Sequence, residues 1–527
     1  MAGNYSVWRF SSTTLAILLA TTCSAQIALA QYTYVQDTDS DGHWDFPSSW
    51  TDGASNTTFP NAVGATALIN SPDSTVAAAY QLFLPAGDIT VGELKIDNTN
   101  FANTYRTTFN NGDVNGVHFR LVFQSTSGPA KYTETMGTAP GPTNTQTDFK
   151  GGILVNSDLI INQDNYPNLN TGTIFEQLVE GAADKTIYKE GHGGIQFNYN
   201  AVTFPPFNET PFQGHVVIDQ GGIRLLSASP FSNVAGVTVN SGGQLMLACK
   251  GANANPDFSL APGAVLNLNG AGKATDVPLP QTVASPEGAL RISITPTLTD
   301  TAFHSPVVLQ SDSVISVDAG GTTGTLDGML SGPGGLTKQG AGTLILSNAS
   351  DSYSGDTKVL AGGPLSITNP FLADGRDVSL VTGSIFDLNF SATDTIRSFY
   401  IDGVGQATGT WGAVGSIAAH QSALITGTGL LNVTTLPPMG VPGDYNGNGV
   451  VDAADYVLWR SGGPLQNEVA TMGSVTPEDY TEWRARFGNT SGSGSGALSG
   501  SAAVPEPGSL LLATFAALGL VVLPRKR

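Results

Sequence analysis

Short runs of alternating apolar and polar residues, bounded by Gly, Asn, Asp or Ser, recur from about residue 61 to 434. Examples are ITVGELKI, GGILVNSDLIIN, VVIDQGGIRLL and GAVLNLNG. Alternation with a period of two is typical of β-strands with one buried face, and no long stretch shows the 3.6-residue period of an amphipathic helix. The pattern predicts many short strands joined by tight turns.

Part of this region repeats itself. KEGHGGIQF at 189–197 matches KQGAGTLIL at 338–346, and FQGHVVIDQGGIRL at 212–225 matches YSGDTKVLAGGPLS at 353–366. In both copies a glycine lies seven residues before the first residue of a glycine pair. A recurring strand, turn and strand unit buries its apolar side by stacking on a copy of itself. The repeat therefore predicts a β-solenoid with about 20 to 25 residues per coil, and a pair of β-sandwiches is the alternative.

The second copy carries a family resemblance. GGLTKQGAGTLILSNASDSYSGDTKVLAGGPLSI resembles the autotransporter-associated β-strand repeat, and SFYIDGVGQATGTWGA with the later LITGTGLLNV resembles the segment that closes such arrays. The resemblance implies an all-β fold, a right-handed parallel β-helix, on a bacterial surface. The first copy departs from the repeat, because FNYNAVTFPPFNETPF separates its halves.

The composition agrees with an exported all-β protein. Glycine accounts for 64 of 527 residues, well above the average share of about 7 %. The chain has 22 basic and 42 acidic residues and a formal net charge of −20. Nucleic acid is therefore not an expected partner, because its phosphates must be met by clustered Lys and Arg.

The N-terminus has the form of a signal peptide. Residues 1–30 contain the apolar run LAILLA and end in ALA, a small-x-small site for signal peptidase, so we expect cleavage after Ala30. Cleavage leaves Cys249 as the only cysteine. A single cysteine cannot form an internal disulfide, and Cys249 is expected to be a buried filler.

The C-terminal segment VPEPGSLLLATFAALGLVVLPRKR at 504–527 follows a Gly/Ser-rich linker. Its PEP tripeptide, apolar stretch and basic end resemble the PEP-CTERM sorting signal. The resemblance implies a short transmembrane helix and removal of the tail by an exosortase. The alternative is a buried core helix, since the uncharged stretch of 509–523 is shorter than the roughly 20 residues that span a bilayer.

The segment DYNGNGVVDAAD has the spacing of a calcium loop. EF-hand-type loops supply oxygens from positions 1, 3, 5, 7, 9 and 12 and turn sharply at a glycine at position 6. The glycine is Gly449, and the predicted ligands are Asp444, Asn446, Asn448, the backbone carbonyl of Val450, Asp452 and Asp455. A turn that binds no ion is the alternative.

The loop and its following helix resemble a type I dockerin. Asp at position 12 departs from the general EF-hand motif, which has Glu, but agrees with dockerins. EDYTEWR at 478–484 repeats ADYVLWR at 454–460. The second loop lacks two of its oxygens, so the resemblance implies one occupied calcium site and one degenerate half. We expect the two helices to pack around aromatic residues, namely Tyr456, Trp459, Tyr480, Trp483 and Phe487.

A weaker calcium candidate lies near the mature N-terminus. Asp37, Asp39 and Asp41 match positions 1, 3 and 5, but position 12 is Ser48, so a polar turn is equally compatible. Two tryptophans follow, at 44 and 50. They are expected to plug the end of the solenoid, and a sugar-stacking pair is the alternative.

These features predict seven segments: a signal peptide at 1–30, an N-terminal cap at 31–60, the β-helix at 61–434, a linker at 435–441, a dockerin-like calcium module at 442–489, a Gly/Ser linker at 490–503 and the sorting and anchor segment at 504–527. We expect an exported protein at the cell surface or outer envelope, either membrane-anchored or released by C-terminal processing.

The favoured function is non-catalytic. The solenoid would adhere to, or organise, extracellular polysaccharide, and a cohesin-like surface protein is a further possible partner. The alternative is a polysaccharide hydrolase or lyase with a dockerin docking module. Such an enzyme needs two carboxylates held about 5 to 10 Å apart. The available acids, Asp219, Glu287, Asp300, Asp312 and Asp318, lie in no recognisable motif, so no catalytic residue is predicted.

Overall fold

A computed structural model describes residues 31–34, 42–54, 58–70, 79–84, 87–98, 106–111, 120–136, 146–150, 152–164, 173–175, 179–197, 211–226, 229–248, 257–273, 288–293, 300–436, 441–463, 465–468 and 475–490. The predicted signal peptide, the Gly/Ser linker beyond residue 490 and the sorting segment lie outside these residues, as do Cys249 and Glu287. The chain divides into two compact units, of which the first ends at Gly328 and the second begins at Met329.

In the first unit the described residues form short strands and two 3-10 helices, at Pro47–Ser49 and Ser229–Phe231. The strands are β1 Gln31–Tyr34, β2 Gly42–His43, β3 Trp50–Thr51, β4 Thr66–Asn70, β5 Ala79–Leu84, β6 Ile89–Val91, β7 Glu93–Asn98, β8 Arg106–Asn111, β9 Leu121–Phe123, β10 Ala130–Met136, β11 Gln146–Phe149, β12 Ile153–Val155, β13 Leu159–Asp164, β14 Thr173–Phe175, β15 Val179–Gly181, β16 Thr186–Glu190, β17 Gly194–Phe197, β18 His215–Ile218, β19 Gly221–Leu225, β20 Gly236–Val239, β21 Gly243–Leu247, β22 Leu266–Gly270, β23 Leu290–Ile292, β24 Asp300–Phe303, β25 Val307–Val317 and β26 Thr323–Leu326.

Most of these strands stack in three parallel ladders, while β3 pairs antiparallel with β1 and β24 pairs with β26. The first ladder runs through β1, β4, β7, β10, β13, β16, β18, β20, β22 and the start of β25. The second runs through β2, β5, β8, β11, β14, β17, β19, β21, β23 and the end of β25. The third contains β6, β9, β12 and β15. Successive coils therefore stack strand on strand, as the sequence repeat predicts for a β-solenoid.

The core of the first unit contains an aromatic stack. Phe109, Phe149, Phe175 and Phe197 occupy one inward position of four successive strands in the second ladder, and all four are buried. Neighbouring ring centroids are 4.7, 5.0 and 5.2 Å apart with nearly parallel planes. These distances match the coil spacing of about 4.8 Å, so each ring packs on the ring of the next coil.

A polar network is buried beside this stack. The Glu134 carboxylate accepts hydrogen bonds from Tyr132 (2.8 Å), Thr147 (2.6 Å), Thr173 (2.8 Å) and Gln163 (3.1 Å). All five residues are at most 1 % exposed. Burial and the neighbouring carboxylate raise the pKa of Tyr132 well above its usual value, so its hydroxyl remains a donor. Each of the five side chains thus takes part in at least one hydrogen bond, as is usual for buried polar groups.

The described part of the second unit contains shorter, more regular strands and two helices. The strands are β27 Leu330–Ser331, β28 Leu336–Gln339, β29 Thr343–Leu346, β30 Thr357–Val359, β31 Leu365–Ile367, β32 Val378–Leu380, β33 Phe386–Leu388, β34 Thr393–Ile396, β35 Phe399–Ile401, β36 Val404–Gly405, β37 Gly409–Gly412, β38 His420–Gln421, β39 Ile425–Gly427 and β40 Leu430–Val433. The helices are α1 Ala453–Arg460 and α2 Pro477–Arg486.

The coil length is constant where the second repeat copy lies. Leu336 pairs with Thr357, Thr357 with Val378, and Val378 with Phe399, which is a step of 21 residues each time. A second ladder through β29, β31, β33 and β39 stacks beside it. Antiparallel pairs, β35 with β36 and β37 with β40, end the array. The predicted length of 20 to 25 residues per coil is confirmed here.

The same prediction is wrong for much of the first unit. Thr186 pairs with His215, a step of 29 residues, and Leu266 pairs with Val307, a step of 41. The step from His215 to Gly236 is again 21. The extra residues are added between stacked strands, and the ladders continue past them, although the register of β22 with β25 shifts between Leu268 and Gly270. The strand pattern alone therefore does not reveal coil length.

No helix within the described residues has the length and apolar character needed to cross a membrane. The predicted anchor falls in residues 504–527, outside that part of the chain.

Candidate functional site

Asp444, at loop position 1, organises the predicted calcium loop. Its carboxylate is 1 % exposed. One oxygen accepts the Asn448 N–H at 3.1 Å and the other accepts the Gly449 N–H at 2.7 Å. Gly449 has φ of +87°, in the left-handed region that glycine enters without strain. The turn thus bends around the carboxylate of Asp444, the residue at position 1 of the predicted loop.

The two asparagines continue the same turn. Asn446 Oδ1 accepts the Asn448 N–H, and Asn448 Oδ1 accepts the Val450 N–H, both at 2.9 Å. These side chains hold the loop by hydrogen-bonding to the backbone two residues ahead, which is the Asx-turn geometry. Each amide oxygen can accept a second interaction, because a carbonyl oxygen has two lone pairs.

Asp452 and Asp455 join the loop to helix α1. Asp455 is fully buried and accepts the Asn446 N–H at 2.9 Å and the Asp452 N–H at 2.7 Å. Asp452 is the N-cap of α1 and accepts the Ala454 N–H at 2.8 Å. The structure therefore brings Asp455 to the turn that Asp444 organises, whereas the Asp452 side chain is bonded to the helix start.

The donor set suits a hard cation, because Ca²⁺ takes carboxylate, amide and backbone carbonyl oxygens. Among the described residues, however, no group of three or more His, Cys, Asp and Glu is arranged to hold a metal ion. Calcium binding at this loop therefore stays a prediction.

The second helix repeats the same junction. Asp479 is fully buried and accepts the Thr476 N–H at 2.8 Å, forming a capping box at the start of α2 as Asp455 does at α1. The aligned helices thus keep the same buried aspartate. Positions 3, 5 and 6 of the degenerate second loop lie at 470, 472 and 473, outside the described residues.

Aromatic residues join the two helices. The Tyr456 and Trp483 ring centroids are 5.3 Å apart, and those of Trp459 and Tyr480 are 5.1 Å apart. The Trp483 indole N–H donates to the Asp452 carbonyl at 2.8 Å, which connects α2 to the end of the loop. The predicted packing around these four residues is confirmed. Phe487 also contacts Trp483 edge-on but is 38 % exposed.

Sequence reasoning missed two core residues of this module, Tyr445 and Val451, which are both fully buried. Tyr445 donates its hydroxyl hydrogen to the Asp479 carbonyl, and the Val451 N–H donates to the Asn489 carbonyl at 2.8 Å. The signal was present in the sequence, because apolar or aromatic residues inside an otherwise polar loop are available only for packing.

Sequence reasoning also missed two buried lysines on the strands that precede the repeat turns. Lys338 is fully buried, and its ammonium donates to the carbonyls of Gly340 (2.7 Å), Gly342 (2.6 Å) and Gly363 (2.7 Å). Lys189, its counterpart in the first copy, is also fully buried and donates to the carbonyls of Glu190 and Gly191 (2.9 Å). Both lysines hold a glycine turn through backbone carbonyls, so the sequence match corresponds to a shared structure.

The N-terminal tryptophans are structural. Trp44 and Trp50 are fully buried, and their ring centroids are 4.8 Å apart. The Trp44 indole donates to the Pro60 carbonyl and the Trp50 indole to the Trp44 carbonyl, both at 2.8 Å. They therefore offer no face for stacking a sugar. The calcium candidate at Asp37, Asp39 and Asp41 lies outside the described residues.

Two of the acids considered for catalysis have internal partners. Asp318 accepts hydrogen bonds from Arg291 at 2.9 and 3.1 Å, and Asp219 accepts one from Asn240 at 2.6 Å. Asp300 begins β24, and Asp312 lies within β25.

Comparison with known families identifies one segment. Residues 336–366 match the family model described as the passenger-associated-transport repeat. This segment begins at the first residue of β28 and includes the Lys338 turn and most of β31. No curated protein and no solved structure matches the chain. The match identifies a β-repeat of the autotransporter passenger type and indicates an exported, cell-surface protein.

Proposed function

We propose that the protein is a non-catalytic, exported surface protein whose right-handed β-helix associates with extracellular polysaccharide. The observation that carries the proposal is the regular passenger-type array of 21-residue coils in the second unit. Arrays of this kind expose one outward side chain per coil in a continuous row.

One such row has the chemistry to bind sugars. Thr337, Lys358, Ser379 and Tyr400 share one register position on β28, β30, β32 and β35. All four are exposed or partly exposed. Hydroxyl and ammonium groups can bond to sugar hydroxyls, and a tyrosine ring can pack against the apolar face of a sugar.

Incubation of the purified protein with a panel of polysaccharides tests this function, with both retention and reducing-end release scored. Retention without release is expected, and Tyr400→Ala should weaken it. Val404→Ala, an exposed change on the adjacent strand β36, is the control. Release of reducing ends at enzymatic rates would instead support a polysaccharide hydrolase or lyase, and absence of retention would contradict adhesion.

The proposal includes one calcium ion in the dockerin-like loop, held by oxygens of Asp444, Asn446, Asn448, Val450 and Asp455, with Asp452 contributing at position 9. The support is the buried Asp444 carboxylate at the centre of an Asx turn. A bound calcium ion would supply positive charge that offsets these carboxylates and would stiffen the module.

Titration calorimetry with calcium is expected to show about one ion per chain. Asp444→Ala should abolish binding, whereas Glu478→Ala, an exposed acid in the same module, should leave it unchanged. Two ions or none in the unaltered protein would contradict the assignment.

The proposal also includes signal peptidase cleavage, PEP-CTERM sorting by an exosortase with membrane attachment through the C-terminal helix, and a cohesin-like protein as a possible partner of the module. These rest on sequence resemblance. Mass spectrometry of the protein from its native envelope should show a mature N-terminus at Gln31 and loss of the tail. Retention of residues 504–527 would contradict exosortase processing.

A further inference from the structure

The predicted calcium loop contains two Asn–Gly steps, at 446–447 and 448–449, and a further described step lies at 269–270, at the end of β22. In such a step the backbone nitrogen of the glycine can attack the side-chain carbonyl carbon of the asparagine, and no Cβ hinders its approach. The reacting atoms belong to adjacent residues, so the attack is intramolecular. Local structure therefore decides which of these steps reacts.

The side-chain carbonyls of both loop asparagines are polarised by backbone donors. Asn446 Oδ1 accepts the Asn448 N–H, and Asn448 Oδ1 accepts the Val450 N–H, both at 2.9 Å. A donor at this oxygen stabilises the negative charge that develops on it when the carbonyl carbon is attacked. Asn269 differs, because its Nδ2 donates to the Val239 carbonyl at 3.1 Å and no described group donates to its Oδ1.

The attacking nitrogen distinguishes the two loop steps. The Gly449 N–H donates to the buried Asp444 carboxylate at 2.7 Å, and this bond to a charged acceptor must break before the nitrogen can attack. The Gly270 N–H is also engaged, since it donates to the Ser311 hydroxyl at 3.1 Å. Gly447 is exposed, and its N–H donates to no acceptor among the described residues. Of the three steps, 446–447 therefore combines a polarised carbonyl with an available nitrogen.

We propose that Asn446 is a site of spontaneous modification, which converts through a cyclic imide to aspartate or isoaspartate. The Gly447 nitrogen forms a bond to Asn446 Cγ and loses its proton to water, while Nδ2 takes a proton from water and leaves as ammonia. A second water then adds its hydroxyl to one imide carbonyl carbon, the bond from that carbon to the nitrogen breaks, and the nitrogen regains a proton. Opening at Cγ gives aspartate, and opening at the backbone carbon gives isoaspartate. The net reaction turns an amide and water into a carboxylic acid and ammonia, with no oxidant.

The conversion changes the charge of the predicted calcium loop. Aspartate at 446 adds a carboxylate at loop position 3, where the EF-hand motif accepts Asp as well as Asn, and calcium affinity depends on the charge of the ligands. Isoaspartate instead adds a methylene group to the main chain next to the Asn446 N–H that donates to Asp455. This consequence rests on the proposed calcium site, whereas the conversion itself does not. The module would thus change its calcium affinity as the protein ages outside the cell.

Peptide mapping by mass spectrometry tests the site in the full-length protein, incubated at neutral pH with a chelator, both folded and unfolded in urea. In the folded protein Asn446 should convert at least about tenfold faster than Asn448, because the Gly449 N–H must first leave a charged acceptor. Asn269 should also convert slowly. In urea the three steps should convert at rates within about twofold of one another, since the local structure that separates them is lost.

The variant Asp444→Asn tests the protection of the second step. It removes the charged acceptor of the Gly449 N–H and keeps a side chain of the same size, so conversion of Asn448 should rise at least about fivefold. Asp452→Asn is the matched control, because Asp452 lies in the same loop but accepts the Ala454 N–H. It should leave Asn448 slow.

Conversion of Asn446 in the folded protein that is no faster than that of Asn448 or Asn269 would overturn the proposal. So would an Asn446 that stays unchanged over the time in which the urea-unfolded chain converts. If Asn448 remained slow in Asp444→Asn, its protection could not be assigned to the bond between Gly449 and Asp444. A chelator is present throughout, so failure of the protein to bind calcium in calorimetry would leave these results unchanged.

Discussion

Replacement of Lys338 by methionine tests whether a buried ammonium holds the repeat turn. The change keeps an unbranched side chain of similar length but removes three donors, and it leaves the carbonyls of Gly340, Gly342 and Gly363 without this partner. Hydrogen bonds from a charged group contribute about 1.5 to 3 kcal/mol each. Burial acts against the charge and lowers the pKa of Lys338 to about 8, an opposing effect of about 3 kcal/mol. We expect a net destabilisation of about 3 kcal/mol.

Hydrogen–deuterium exchange of peptides within 336–367, with urea unfolding of the whole chain, measures this loss locally and globally. Lys358→Met is the matched control, because Lys358 is exposed on the adjacent strand of the same ladder. Exchange in Lys338→Met that equals that of the unaltered protein would refute the reasoning, since the three carbonyl bonds would then contribute nothing.

The same lysine predicts a pH dependence. The folded chain releases this proton near pH 8, whereas the unfolded chain holds it until about pH 10.5. Between these values the unfolded chain binds more protons, so the contribution of Lys338 to stability rises with pH. The stability difference between the unaltered protein and Lys338→Met should therefore widen by about 1 kcal/mol per pH unit between pH 8 and 10, and a difference that narrows would contradict the lowered pKa.

Three further predictions concern the second unit. In Gly355→Ala the new Cβ would lie 2.2 Å from the Gly335 nitrogen. We therefore expect the free energy of unfolding, measured with urea, to fall by about 3 kcal/mol. Gly375→Ala is the control and should be tolerated, because no atom lies within 4 Å of its new Cβ. Burial raises the pKa of Asp351 to about 6. Between pH 4 and 6 the folded chain therefore binds more protons than the unfolded chain, so the contribution of Asp351 to stability falls as pH rises. In Asp351→Asn the change in unfolding free energy between pH 4 and 6 should be smaller by about 1 to 2 kcal/mol. Calcium chelation should change tryptophan fluorescence, because Trp483 bonds to the Asp452 carbonyl, and Asp444→Ala should not respond; an identical response in both proteins would contradict binding at the loop.

The sequence was sufficient to predict the stacking of coils but not their full geometry. Lys338 and Lys189 were aligned from sequence, yet their burial was missed because a lysine is normally solvated. The available signal was the alternation of inward and outward side chains along a strand. Lys338 lies two residues after the buried Leu336 on the same strand and therefore faces inward. The sequence match and the structure also differ by one residue after the glycine pair. The sequence match aligns Pro364 with Ile223. In the structure the equivalent of Ile223 is Leu365, because Leu365 pairs with Leu344 as Ile223 pairs with Ile195.

Strand neighbours that lie far apart in the sequence could not be predicted in the same way. Met246 and Arg291 are neighbours in the ladder although 45 residues separate them in the chain. Insertions between strands hide such pairs, since only the register of the folded coils brings them together. For the calcium loop the opposite holds, because all its predicted residues lie within twelve consecutive positions and local turn chemistry determines their placement.

The uniform 21-residue step has a consequence for how this protein can change over time. Loss or duplication of one whole coil in that part of the second unit would return every side chain to an equivalent position, with the inward and outward faces in phase. A change of one residue within a strand would instead exchange the two faces. The array can therefore grow or shrink by complete coils, and relatives of different length are expected to differ by multiples of this step.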